Sequence, residues 1–257
     1  MPAPSVAELR AVTQPASLLA RPEAEHWAGR LYMRRLSPYL TRSLVGTPLS
    51  ANAVTALMIP TGLLAAFVLT LPGLAPAIAA FVLVQIQLLL DCADGELARW
   101  RRTFSSTGVY LDQLAHYSTE AALAAALGVR ADGGWDSIGG WTALGLAVAV
   151  LILLLKAETH LAEVAIGRVA GTSGAGSAPS PNPEGRRARL RDGVRLLPFL
   201  RPFHAIEATL LALAAAVVDT AAGGLTATRV LLLVLVSAAV IAVIGHLVAV
   251  LTSNRLG

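Results

Sequence analysis

Four side chains of ligand and acid–base type lie close together in an otherwise apolar part of the chain. They are Asp91, Asp94, Asp112 and His116, in the stretch DCADGELARWRRTFSSTGVYLDQLAH. An acidic group in hydrocarbon is costly unless it is paired, bound to metal or in contact with water, so the cluster is where chemistry is expected. Asp91 and Asp94 are three residues apart, and Asp112 and His116 four, so each pair shares a helix face. Between them runs a polar, basic stretch, Arg99 to Thr107, suited to a turn at a membrane surface. Two helices folded back to back would then offer their ligands to one point. Carboxylates are hard oxygen donors that suit Mg²⁺ or Mn²⁺. Gly95 and Ala98 lie beside the aspartates and leave room for a ligand to approach the backbone.

The elements that must hold these groups are apolar helices. Of the 257 residues, 55% are hydrophobic and only 14% charged, and the mean hydropathy is +0.65. Soluble domains are roughly a quarter charged. The fold class read from this is an all-α integral membrane protein, with no separate soluble domain. Spans of about 20 residues are expected at 51–72, 75–99, 106–128, 138–167, 199–220 and 228–252. Six transmembrane helices are thus preceded by an interfacial amphipathic helix at 25–45, where Trp27, Leu31, Leu36 and Leu40 alternate with Arg30, Arg34, Arg35 and Arg42, broken near Pro38. Residues 1–24 have no apolar run of signal-peptide length and read as a cytoplasmic N-terminal segment with a short helix at 5–12. The remainder, 46–257, forms one transmembrane domain, interrupted by a Gly/Ser/Pro-rich and then basic cytoplasmic linker at 169–197.

The net charge of +4 comes almost wholly from arginine. A basic chain first brings nucleic acid to mind. The arginines are confined to interhelical segments and the N-terminus, which fits topology and anionic membrane lipid instead, so no nucleic-acid partner is expected. The N-terminal segment, the turn at 99–102, the linker at 186–195 and Arg255 fall on one side. The loops at 72–74, 129–137 and 220–227 hold Arg130 as their only base. Both termini, and the acidic cluster, are then expected to face the cytosol. The single cysteine, Cys92, excludes an intrachain disulfide and reads as a small core residue.

The stretch resembles the signature of the CDP-alcohol phosphotransferase (CDP-alcohol phosphatidyltransferase) family of membrane enzymes. The chain gives Asp91, Asp94-Gly95, Ala98-Arg99, Gly108 and Asp112 at the family spacing, and departs at the last position, where His116 replaces aspartate. The resemblance implies transfer of a substituted phosphoryl group from a CDP-linked donor, expected to be CDP-diacylglycerol, to an alcohol acceptor with release of CMP. It implies two divalent ions, Mg²⁺ or Mn²⁺, held by Asp91, Asp94, Asp112 and His116, and a homodimer. His116 and Asp112 would be catalytic. The first span begins SANAVT, similar to the family's Pro-Asn-x-x-Thr with Ala51 for proline. Asn52, Thr55, Asp91, Asp94, Gly95, Ala98, Arg99, Ser105 and Gly108 would bind the CDP donor; taken alone, Asn52 reads as a helix cap.

Beyond the signature, Lys156, Glu158, His160 and Glu163 in the fourth span and Arg201, His204 and Glu207 around the start of the fifth are candidates for an acceptor pocket, with interhelical ion pairing as the other reading. Neutral imidazole is a stronger base near pH 7 than carboxylate and shifts a ligand set from Mg²⁺ toward Mn²⁺ or Zn²⁺. His116 is therefore a base, a metal-tuning ligand or the mark of lost activity. The alternatives to a CDP-lipid donor are a CDP-activated small alcohol passed to a lipid or soluble acceptor, or a non-catalytic nucleotide-binding protein of the same fold.

Overall fold

The computed structural model describes residues 4–15, 27–173 and 202–252. Among these, every regular element is helical. The elements are α1 (Val6–Thr13), α2 (Arg34–Val45), α3 (Ala51–Leu69), α4 (Leu74–Arg101), α5 (Ser106–Asp132), α6 (Gly140–Ser173), α7 (Ala205–Ala222) and α8 (Thr226–Thr252). A π-helical turn, Gly29–Met33, leads into α2, and a 3₁₀ turn, Trp135–Ser137, joins α5 to α6.

Among the described residues, five helices are long and apolar enough to cross a membrane: α3, α4, α6 over Gly140–Ala162, α7 and α8. The chain is a multi-pass integral membrane protein. The expected third span, α5, is as long as the others but carries Asp112, His116, Glu120, Arg130 and Asp132, so its composition alone does not mark it. Packing follows the membrane pattern, with small residues inside and large apolar ones out. Ala65, Ala80, Ala115, Ala131, Ala216 and Ala242 are buried, while Leu57, Phe67, Val150, Val218, Val234 and Ile244 face outward. Where α5 crosses α6, glycine lies on glycine. A Cβ on Gly128 would stand 2.6 Å from the Trp141 carbonyl, and one on Gly145 would stand 2.8 Å from the Ala124 carbonyl.

Charged side chains tie the helix ends. At the end away from the acidic cluster, buried Arg130 donates to the carbonyls of Leu71 (2.7 Å) and Gly73 (2.8 Å). Asp132 accepts from the amides of Gly139 and Thr142 at the start of α6. Asp219 does the same for Ala227 and Thr228 at the start of α8. These are first-turn donors without intrahelical partners, and anionic caps answer them and the helix dipole. At the cluster's end, the Arg101 fork takes the carbonyls of Leu44, Val45, Thr47 and Leu49, closing the C-terminus of α2.

Several sequence expectations need correction. The helix leading through α2 is not broken at Pro38, because the carbonyl that Pro38 leaves without an i+4 donor, that of Arg34, accepts from the Gln14 amide at 2.9 Å. The irregularity is the π-helical turn just before. The side of this helix that packs on the bundle is polar, and its large apolar residues face outward, as expected of a helix that lies in a membrane interface. Ser37 and Thr41 are buried, while Leu31, Leu36 and Tyr39 are exposed. α4 and α5 are not back to back; α4 packs mainly on α3, α5 packs on both α6 and α3, and a cavity lies between α4 and α5 at the cluster. α6 continues to Ser173, past the expected start of the linker, and α7 begins only at Ala205. The rest of that linker, and Arg255, lie outside the described residues.

Two outcomes are expected. Gly145→Val should lower the thermal midpoint of the detergent-solubilised protein, since overpacking costs roughly 1–3 kcal/mol, while Gly140→Ala, with nothing within 4 Å of the new Cβ, should not. With Cys92 replaced by alanine, cysteines at Thr103 and Gly139, beyond the two ends of α5, should be labelled from opposite sides of the membrane; labelling from one side would exclude α5 as a span.

Candidate metal and nucleotide site

The end of the bundle where α3 begins, α4 ends and α5 begins encloses an open cavity of about 320 Å³, within the usual range for small-molecule sites. Each wall has a local cause. Ser50 caps α3 by accepting from the Ala53 amide at 3.1 Å, so Asn52 is not the cap and its side chain is left for other work. Ser105 caps α5 by accepting from Gly108 N at 3.0 Å and also donates to Asn52 Oδ1 at 3.0 Å. α3 and α5 come this close because position 108 lacks a side chain: a Cβ there would stand 2.8 Å from Asn52 Oδ1. α4 is stopped by Arg102, in the left-handed conformation at φ 55°.

All nine residues expected at the donor line this cavity: Asn52, Thr55, Asp91, Asp94, Gly95, Ala98, Arg99, Ser105 and Gly108. His116 stands one helical turn along from Asp112. Its Nε2 is 3.3 Å from Asp112 Oδ1 and 3.6 Å from Asp91 Oδ1. One ligand atom from each of Asp91, Asp112 and His116 falls within 4.8 Å of the others. All three are half-buried, reachable from the cavity yet shielded from bulk water. Asp94 stands outside that trio; it is buried, and its Oδ2 accepts from Thr55 Oγ1 at 2.5 Å.

The acceptor candidates divide differently. Lys156 Nζ is 2.9 Å from Glu120 Oε2 and lies 5.1 Å from the centre of the Tyr117 ring. The Tyr117 hydroxyl meets His160 Nε2. These groups sit where α5 packs on α6, within one turn of His116 along α5. Glu158 is 3.3 Å from His246 Nδ1, and Glu207 accepts from Trp27 Nε1 at 2.8 Å. His204 is the N-cap residue of α7. Arg201 and the side chain of Glu163 lie outside the described residues.

Some residues of the cavity wall, and one buried anchor, are not singled out by the motif. Arg34 and Phe104 line the cavity; Arg34 had been read as one of several interfacial bases. Glu96 is fully buried and accepts from Ser37 Oγ (2.5 Å), Thr41 Oγ1 (2.7 Å) and Gln14 Nε2 (2.7 Å), with Arg34 Nη1 at 3.8 Å. The signal for Glu96 was present, as an acid inside an apolar run, but its partners lie 55 to 82 residues away.

The family model described as CDP-alcohol phosphatidyltransferase matches residues 49–177, about half of the chain and the whole of α3 to α6. No curated protein matches the chain.

The donor set, two carboxylates and an imidazole converging on one point, fits a hard divalent cation such as Mg²⁺ or Mn²⁺. Asp112→Asn should weaken Mn²⁺ binding, measured by electron paramagnetic resonance on the purified protein, by roughly tenfold or more, since even outer-shell losses cost about 10–100-fold. Unchanged affinity would remove Asp112 from the ligand set.

Proposed function

The chain belongs to the CDP-alcohol phosphatidyltransferase family, which moves a substituted phosphoryl group from a CDP-alcohol to a second alcohol, and we propose that here the donor is CDP-diacylglycerol and the acceptor a small polar alcohol, giving a phospholipid or related lipid. The observation that carries the reading is one cavity flanked by both halves of the chemistry. Carboxylates and an imidazole converge at one wall, while Arg34, Arg99, Asn52 and Ser105 line the rest. In the same reading the six spans place this cavity at the cytosolic face, and the protein is a homodimer.

The chemistry expected of the residues follows from their places. Asp91, Asp94 and Asp112 would hold the divalent ions, which when bound neutralise the diphosphate and stabilise the leaving oxygen. Arg34 and Arg99 offset the remaining phosphate charge and orient it. Asn52 and Ser105 present polar atoms at the cavity rim for the nucleoside. The acceptor oxygen forms a bond to the phosphorus bearing the lipid, the bond to the CMP oxygen breaks, and CMP leaves. His116 takes the acceptor proton at Nε2, and the imidazolium so formed lies beside Asp112 and Asp91, which stabilise it. A second reading, that His116 serves as a ligand, is favoured by the convergence of its Nε2 with the two carboxylates. The cluster of Lys156, Tyr117 and His160, within one turn of His116 along α5, is the proposed acceptor side.

The test is CMP release from labelled CDP-diacylglycerol against a set of alcohols, with the product read by lipid mass spectrometry. No release with any alcohol or metal would sink the reading in favour of a CDP-activated small-alcohol donor or a non-catalytic role. Asp91→Asn, Asp94→Asn and Asp112→Asn should each abolish release while the protein still inserts and purifies. His116→Ala should lose about 10²–10⁴-fold, the usual contribution of a positioned acid–base group. His116→Asp should retain turnover and shift metal preference from Mn²⁺ toward Mg²⁺; a full rate in His116→Ala would exclude both roles.

A further inference from the structure

We propose that the N-terminal helix is a working part of the donor site: residues 5–14 position Arg99, and with it Arg34, for the diphosphate of the donor. This rests on the reading of the cavity as a CDP-donor site. The helix lies outside the stretch that matches the family.

The cavity sets an electrostatic problem. Asp91, Asp94 and Asp112 line it, and an anionic donor must enter it. The two cationic side chains on its wall are Arg34 and Arg99. The Arg99 side chain is tied to the last residue of α1, and the Arg34 backbone to Gln14 just beyond it. Thr13 is the last residue of α1, where carbonyls lack intrahelical donors and the helix dipole favours a cation. Its carbonyl accepts from Arg99 Nε at 2.7 Å. With Nε tied, the guanidinium lies over Gly95, where a Cβ would stand 3.3 Å from both terminal nitrogens. Those two nitrogens form the fork that suits a phosphate.

Arg34 is fixed through its own backbone. Gln14 Nε2 donates to the Arg34 carbonyl at 2.9 Å and to Glu96 Oε1 at 2.7 Å. Arg10 Nη2 donates to the Arg35 carbonyl at 3.0 Å. One amide therefore joins α1 to both α2 and α4 beside the cavity. α1 itself is well anchored. Leu9 and Thr13 are fully buried, and Ser5 and Glu8 form a capping box at its start. Untied, an arginine must lose its rotamer freedom when the donor binds; tied by Thr13, it has already lost it.

The test uses the full chain. Leu9→Glu places a charge in a fully buried position and undocks α1. KM for the CDP donor should rise about two- to tenfold, the scale of ordering one or two long side chains, with kcat within twofold and the Mn²⁺ requirement unchanged. Gln14→Ala, which keeps Leu9 buried, should move KM in the same direction by less. In an Arg99→Lys background, Leu9→Glu should add little, because lysine has no Nε to tie. Phenylglyoxal should modify Arg99 faster in Leu9→Glu than in the wild type, read by peptide mass spectrometry, whether or not the protein turns over. An unchanged KM, an equal loss in kcat, an undiminished effect in Arg99→Lys or unchanged arginine reactivity would each overturn the proposal. A wild type that neither turns over nor binds CDP overturns the donor reading itself, and is told apart from these by needing no variant.

Discussion

Glu96 has no exposed surface, yet it sits in an apolar helix between the aspartate pair and Arg99. A buried carboxylate is tolerated only when donors and a cation replace the water it has lost. Here two hydroxyls from α2 and one amide from beyond α1 supply them, with the Arg34 guanidinium nearby. Meeting that single demand fixes three elements relative to one another. It also explains why the inner face of α2 carries Ser37 and Thr41, while Leu36 and Tyr39 face outward. Breaking such a set by removing one partner is far costlier than the strength of any one bond, because the remaining charge stays buried.

The same rule governs the opposite end of the bundle with the signs exchanged. Arg130 is buried against two carbonyls, and Asp132 and Asp219 each close the start of the following helix. The charges that interrupt the apolar helices are thus of two kinds. Most are answered by named donors or acceptors within the protein. Among the described residues, Asp91, Asp112 and His116 instead face one another beside a cavity. Two carboxylates and an imidazole converging on one point are a set that can hold a divalent ion. In the family to which the chain belongs, metal-assisted phosphoryl transfer gives that arrangement its use.

The cavity exists because α4 and α5 do not close on each other. α3 receives both, and Gly62 and Gly108 let the contact be intimate: a Cβ at 62 would stand 1.9 Å from Thr119 Oγ1. Deeper in the bundle, Gln87 bridges Thr119 and the Met58 carbonyl at that crossing. α3 is thus held below, while at its mouth Asn52 and Ser105 meet across a space that side chains leave unfilled.

What the sequence determined was local and periodic. Helix spacing alone paired Asp91 with Asp94 and Asp112 with His116, run length and hydropathy set out six spans, five of which fall on long apolar helices, and the spacing of glycines, aspartates and Arg99 identified the family. All the residues expected at the donor line one cavity: those of the signature lie on two consecutive helices joined by a short turn, and Asn52 and Thr55 come from the start of α3. Tertiary structure alone decided the rest. It placed α3 between α4 and α5, set Asp94 apart from the trio by bonding it to Thr55, kept the helix whole through Pro38 by way of Gln14, and brought Arg34 into the cavity. Each of these depends on a partner tens of residues distant, and no periodicity encodes which distant donor will answer a buried carboxylate or an orphaned carbonyl. The fold settles that by satisfying all of them at once.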